Sequence, residues 1–458
     1  MAYTSGTATG YLNLLRTFRD WVCDTANLGT QAWFWLQDNT GVAGTSDGSA
    51  CFMAPGASGV SRLVVESCES IWTSGTNVTA TLDTTDYQVG SGAANLAVDV
   101  AATAGQILGY RNFTSVNLSS YTRLHFRIKS TVALSAGDLQ IVVDDTNNCV
   151  SPLESLNVPQ LNANTWASFD VAIATPANLT AVVSVGVKMV VDKGAFTVLV
   201  DDIRVTGTFS ERIFMNINTI SSVPSDWYNW ELNGAIGFDP NIAMINQPGA
   251  ISPGVFNGPK LCLHTGNIGY RIAANGRRAV ILCNVGGVIE SAYIGFFQPY
   301  APPANYSYPM LIGGTNYQNV RYSDVTATHQ WLMKCNSSQS LRHAYMRTSQ
   351  GVWVQNENAV NSVTVSGRIC FAPYGLLSDT IVTPNADGSH PMLPVMLLQW
   401  QSNTQYDFTG VGELDGVFWV PGVLISNGDT LAVGGDNYTA FADTFRTDYY
   451  SYAALKMA

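Results

Sequence analysis

Apolar residues return along this chain with two periods, and the switch between them comes early. Tyr11, Leu14, Leu15, Phe18, Trp21 and Val22 recur at helical spacing, with Arg16, Arg19 and Asp20 on the other face. That stripe predicts one amphipathic helix, with Thr9 at the N-cap position and Asn27-Leu28-Gly29 closing the pattern. A helix of this kind is expected to pack on its own domain, the alternative being a neighbouring subunit. From Trp33 onward the period is almost entirely two. Alternating or apolar runs at Arg62 to Val65, Leu124 to Lys129, Leu139 to Val143, Val185 to Val191, Val198 to Val205 and Ala279 to Val285 are separated by Gly, Asn, Asp, Pro and Ser clusters. Strands do not alternate with helices, which excludes a parallel α/β sheet, and no fixed-period repeat suggests a propeller or solenoid. The expected fold class is mainly β: antiparallel sandwich or jelly-roll domains with one N-terminal helix.

Composition narrows what such a fold is for. The chain has 458 residues, enough for several cores, yet only 12% are charged. Its net charge of −11 sets it against phosphate backbones and anionic lipid, so neither nucleic acid nor a membrane surface is an expected partner. No apolar run approaches the roughly 20 residues of a membrane-spanning helix. Met1 to Gly10 lacks the basic start and apolar core of a signal peptide, so ordinary secretion is not expected. The eight cysteines never fall within four residues of one another, which leaves no CxxC motif and predicts free, mostly buried thiols.

Residues 70–207 differ from their flanks, being rich in Val, Ala, Thr and Asp and poor in Pro. Five pieces stand in order within or beside them: Asp86 to Val98, Val116 to Tyr121, Leu124 to Lys129, Asn164 to Val171 and Phe196 to Val205. Gly90 to Gly92 turn the chain before a strand whose Leu96 and Val98 point one way, and Trp166 precedes an alternating Phe169, Val171 pair as an inter-sheet aromatic would. On these pieces the stretch resembles the jelly-roll sandwich of carbohydrate-binding modules. The resemblance implies sugar binding on an exposed aromatic platform, for which Tyr87, Tyr110 and Tyr121 are the candidates, although aromatics in a sandwich commonly serve packing. It also implies a structural calcium held by an acidic residue of the last strand. Here that is Asp202, with Glu69 or Asp83 from the first strand region. The residues alone fit a solvated acidic pair equally well, with one of Asp201 and Asp202 facing the sheet edge.

The flanks, residues 1–69 and 208–458, read as one host domain, possibly in two subdomains, into which the jelly-roll is inserted at a surface hairpin. They carry Met1 to Thr9 before the helix, Tyr228 to Gly234, Gln247 to Pro253, Tyr270 to Val280, Tyr293 to Tyr300, Tyr306 to Gly314, Gly412 to Phe418 and Phe445 to Leu455. On these the chain resembles a family of tailed-bacteriophage virion structural proteins, usually encoded among tail genes. The resemblance implies a non-enzymatic component of tail, baseplate or an attached appendage, with other virion proteins and further copies of itself as partners and host-surface glycan as a ligand of the inserted module. Tyr300, Tyr306 and Tyr308 in a Pro-rich loop, and the Arg277-Arg278 pair, are the candidate subunit contacts, packing within the domain being the alternative. Receptor binding proper, capsid or collar decoration, and glycan depolymerisation are the competing readings.

A search for catalytic chemistry returns little. His125, His264, His329, His343 and His390 form no HExxH, and no GxSxG elbow or phosphate-binding glycine loop is present. Cys262 and His264 alternate and would share a strand face, a pair better suited to packing than to metal. Glu413 and Asp415 have the type and number for a glycosidase pair, but Leu414 and Gly416 suggest an acidic edge at a turn.

Overall fold

A computed structural model of the chain describes residues 1–38, 47–222, 227–251, 258–315, 343–356, 369–373, 389–400, 408–442 and 452–457. His329, Cys335 and most of the Phe445 to Leu455 segment lie outside these residues. The chain divides into two compact units: Met1–Ser58 with Glu211–Phe238 and Met244–Ala458, and Gly59–Ser210 with Asp239–Ala243. The architecture is mainly β and antiparallel throughout the named sheets, with the N-terminal helix at Gly10–Cys23 and a one-turn helix at Thr25–Leu28. Among the described residues no helix is long and apolar enough to cross a membrane.

In the first unit the helix follows an edge strand, Ala2–Thr9, which pairs with Asn267–Ala274. Asn13 accepts the Thr9 backbone N–H through Oδ1 at 3.0 Å, so the helix start is tied by its own first turn. Leu14, Leu15, Phe18 and Val22 are fully buried, and the Phe18 ring meets Trp33, Phe52 and Trp230 edge-on at 5.5–6.2 Å. The helix stripe is thus spent within its own unit. A seven-stranded sheet runs from Ala2–Thr9 through Asn267–Ala274, Arg278–Val285, Val288–Phe296, Met310–Gly313 and Ala344–Arg347 to Trp353–Gln355. Its strand Arg278–Val285 shows why strict alternation fails in places. Ala279, Ile281, Cys283 and Val285 join the core shared with the helix, whereas Val280 and Leu282 join a second core with Phe371, Leu397, Leu414, Val417 and Trp419. A sheet covered on both faces needs apolar residues at consecutive positions.

The second unit is a two-sheet sandwich. One sheet has the order Glu154–Asn157, Leu139–Asp144, Val182–Met189, Ile107–Val116, Thr73–Ser74. The other runs Ala167–Ala172, Arg123–Ser130, Phe196–Thr206, Ala93–Val98, Val78–Asp83, with Arg62–Glu66 also paired to Phe196–Thr206. Leu96, Val98, Leu124, Phe126, Ile128, Ile141, Val143, Val185, Val187, Val198 and Val200 fill the space between them. Phe169 belongs to this core, but Trp166 does not. Its indole N–H donates to Asp86 Oδ1 at 2.7 Å beside the Lys129–Asp86 ion pair, so the expected inter-sheet aromatic is a rim residue. The entry and exit of this unit lie together, because Thr206 pairs with Arg62 and the Gly207 N–H donates to the Ser61 carbonyl at 2.9 Å.

Candidate functional site

The five-stranded sheet of the sandwich turns Leu139, Ile141, Val143, Leu156, Val185, Val187 and Met189 inward. Alternation then fixes what it turns outward. Gln140 lies opposite both Asn157 and Lys188, while Tyr110 lies opposite Gly186, which in turn faces Val142. A third row sets Asn112 and Asp144 on either side of Ser184. The outer face therefore carries one aromatic ring among mainly polar positions, with Val142 and Ile107 as its apolar members.

One end of this face is closed by the turn Asn147–Cys149. Asn148 and Cys149 both have left-handed backbone, at φ 69° and 53°, a conformation that curls the turn back over the sheet. It is stapled down: Asn112 Nδ2 donates to Asn148 Oδ1 and Asn112 Oδ1 accepts the Asn148 N–H, both at 2.8 Å. The Cys149 N–H donates to Ser184 Oγ at 3.2 Å, and Thr146 and Ser151 donate to the Asp144 carboxylate. Val142, Asp144, Ser184 and Cys149 are buried as a result, and burial pushes the Cys149 thiol up to about 11. Gly186 is what lets the turn settle, since a Cβ there would stand 2.8 Å from the Gly109 carbonyl oxygen and 3.1 Å from Cys149 Sγ. The other end stays accessible, with Asn157 exposed and Tyr110, Gln140 and Lys188 half-buried. Gln140 Nε2 donates to Asn157 Oδ1 at 2.8 Å, which fixes two amides side by side. Such a surface offers a ring face for C–H groups and paired amides for hydroxyls.

The three tyrosines expected to form a platform are scattered. Tyr110 alone lies on this face. Tyr87 is 37% exposed on the connection between Val78–Asp83 and Ala93–Val98, and Tyr121 packs against the core below the start of Arg123–Ser130. The residues that accompany Tyr110, namely Gln140, Asn157 and Lys188, were not singled out from the sequence. Each is a polar position between buried apolar neighbours, which marks it as outward, but only the strand order brings the three together.

The expected calcium set does not fit. Glu69 is taken by the Ser91 N–H at 3.0 Å and by the Ser91 hydroxyl, with Gly90 (φ 71°) leaving the room that its carboxylate occupies. Asp83 accepts from the Thr85 hydroxyl and the Thr85 and Asp86 N–H groups, which hold its carboxyl below the usual range. Asp202 meets the Arg204 guanidinium and, at 3.6 Å, Arg127. Burial would raise the Asp202 carboxyl, but these two cations hold it low, and a site flanked by guanidinium groups repels Ca²⁺. No group of three His, Cys, Asp or Glu side chains suited to a metal occurs among the described residues. Nor does either member of the Asp201-Asp202 pair face a sheet edge. Both are buried within Phe196–Thr206, where Asp202 (φ 52°) sits at a register shift and the Gln88 and Val89 N–H groups donate to Asp201 Oδ2 at 2.8 Å. Asp201 Oδ1 has no hydrogen-bond partner, and burial raises this carboxyl to about 6. One open oxygen is far short of the six or more that calcium requires.

In the first unit the candidate contact residues turn mostly inward. Tyr306 is buried edge-on to Phe297 and donates its hydroxyl to the Arg347 carbonyl. Tyr308 stacks edge-on to Phe296 beneath the Arg347 guanidinium. Arg277 pairs with Glu211 at 3.1 Å over the Phe296 ring. Arg278 is wholly buried, donating to Asp415 at 3.0 Å and to the Ala273 carbonyl at 3.0 Å, so it presents no charge to a neighbour. Tyr300 stays exposed, at 54%, with its hydroxyl 3.5 Å from Glu413. Glu413 and Asp415 lie on the long strand Phe408–Val420, not at a turn. Burial opposes ionisation of Asp415, but Arg278 and the Asn275 and Gln298 amides hold its carboxyl below the usual range. Asp415 is thus engaged structurally. Cys262 is fully buried at the end of Lys260–Leu263, whereas His264 lies beyond that strand with its ring Nε2 3.1 Å from the Asn267 carbonyl. The seven described cysteines form no disulfide with one another, and only Cys23 among them is not buried.

No family model matches the chain, and no curated protein matches it. Among solved structures it is similar to a family 11 carbohydrate-binding module of a cellulosomal cellulase of Clostridium thermocellum, at 12% identity and TM-score 0.26, over 32% of this chain and 96% of that one. It is similar also to a family 30 module of a cellulosomal cellulase of the same organism, at 19% identity and TM-score 0.22, over 32% and 98%. A family 29 module complexed with mannohexaose matches at 10% identity and TM-score 0.20, over 32% and 92%. Each likeness takes in about a third of this chain and nearly the whole of the module.

Proposed function

We propose that this chain is a non-enzymatic structural component of a tailed-phage virion, and that its inserted sandwich presents a glycan-binding face. The observation that carries the binding half is the open end of the five-stranded sheet, where Tyr110 stands beside the coupled amides of Gln140 and Asn157. A sugar ring has an apolar C–H face and a rim of hydroxyls, and this arrangement offers a partner for each. The scaffold half rests on the sequence resemblance of the flanking segments and on the placement of the sandwich within one unit whose entry and exit strands pair. Attachment in several copies would let weak single sites act together through effective concentration. Binding of the full-length chain to a glycan array tests the face. Tyr110→Ala is expected to abolish retention of glycans bound by the parent chain, while Tyr87→Ala leaves it intact. Equal retention by parent and Tyr110→Ala would overturn the assignment. Immunogold labelling of phage particles with antibody to residues 70–207 tests the location, with label expected at the tail.

A further inference from the structure

The sandwich unit, residues 59–210, carries eight cationic side chains, and all of its residues are described. Six of the eight are matched to carboxylates: Arg111 to Glu66, Arg123 to Asp170, Arg127 and Arg204 to Asp202, Lys129 to Asp86 and Lys193 to Asp138. A seventh, Arg62, has its guanidinium Nε and Nη1 buried beside the His125 and Arg127 cluster. Lys188 differs from all of these. It lies on the central strand of the five-stranded sheet, half-buried between the inward Val187 and Met189, and no carboxylate among the described residues pairs with it. Its position is directly opposite Gln140 on one side and, across a register shift, Ile107 on the other, and it lies two residues from Gly186, the partner of Tyr110.

With no carboxylate among the described residues paired to it, the Lys188 ammonium is left available to an external anion. The turn at Asn147–Cys149 closes the far end of the face, so a bound ring must lie at the Lys188 end. We propose that Lys188 makes this face selective for an acidic saccharide, a sugar ring bearing a carboxylate. The ammonium takes the carboxylate, the Gln140–Asn157 amides take adjacent hydroxyls, and the Tyr110 ring covers the C–H face. This rests on the glycan-binding reading and adds the chemical class of the ligand.

The test is an array of matched glycans that differ only in a carboxyl or hydroxymethyl group, with sulfated and phosphorylated versions alongside, probed with the full-length chain. Preferential retention of the carboxylated members is expected. Lys188→Gln should weaken that retention about tenfold, the size of a lost charge-assisted hydrogen bond, without touching neutral glycans, and Lys188→Arg should restore much of it. Raising the salt should weaken the acidic members only. Equal retention of neutral and acidic members by parent and Lys188→Gln would overturn the selectivity and leave the glycan face standing. Retention of sulfated or phosphorylated members alone would overturn the carboxylate. A chain that retains no glycan of any kind would remove both readings together.

Discussion

At the scale of single residues, the charges that look like surface features in the sequence are the ones most deeply used inside. Arg277-Arg278 reads as a cationic point on a loop, yet Arg278 is wholly enclosed and held by Asp415, 137 positions away. A pairing over that separation leaves no local trace. Removing one partner strands the other charge in the interior, so Asp415→Ala is expected to cost roughly 3–5 kcal/mol in denaturant unfolding, a change no exposed pair would give. The same holds in the sandwich for His125. Burial foremost, with Arg127 and Arg204 adding to it, lowers its imidazole to about 3. A group depressed on folding stabilises above its unfolded value, near 6.5, and that contribution drains away as the pH falls towards 3. Asp201, raised to about 6, works in the opposite sense: its contribution is present at acid pH and lost as the pH rises through 6. Over pH 6 to 4 the two nearly cancel and the histidine prevails only below about 4, so thermal stability should fall between pH 4 and 3, and His125→Asn should flatten that fall. An unchanged slope in the variant would place the acid sensitivity elsewhere.

At the scale of elements, what could be read in advance was period, and what could not was adjacency. The helix stripe from Tyr11 to Val22 and the runs at Leu124, Leu139, Val185, Val198 and Ala279 all became the elements their periods predict. Leu96, Val98 and Phe169 point into the core as alternation requires, whereas Trp166, at a strand entrance, finds Asp86 instead. The candidate site was legible only as separate letters. Tyr110 was named, but Lys188, Gln140 and Asn157 come from three other positions in a strand order that periodicity does not specify. Nor does any pattern announce that Asn147–Cys149 folds over a sheet. That turn depends on Gly186, and Gly186→Ala should therefore lift it, costing about 1–3 kcal/mol. Alkylation mapped by mass spectrometry provides the check, because Cys149 should become reactive in the variant while Cys51 and Cys283 stay protected. Continued protection of Cys149 would mean that the sheet absorbs the extra methyl.

At the scale of the whole molecule, composition shifts near residues 70 and 207, whereas the compact unit spans Gly59–Ser210 with Asp239–Ala243, because Arg62–Glu66 pairs into its sheet. The sandwich, rich in Val, Ala and Thr, has its own core, and the described residues of that core all fall within Gly59–Ser210. A fragment spanning residues 59–210 should for that reason unfold in one cooperative transition when expressed alone. Absence of such a transition would mean that it needs the remainder of the chain to fold.

The pairing of Arg62–Glu66 with the end of Phe196–Thr206 has a further consequence. A segment whose first and last strands are hydrogen-bonded to each other offers its surroundings only two adjacent joints, whatever lies between them. Recombination that replaces everything between those joints leaves the flanking strands spliced across the same short gap. Two crossovers would therefore exchange the whole sandwich as one genetic cassette, with the strands on either side inherited unaltered.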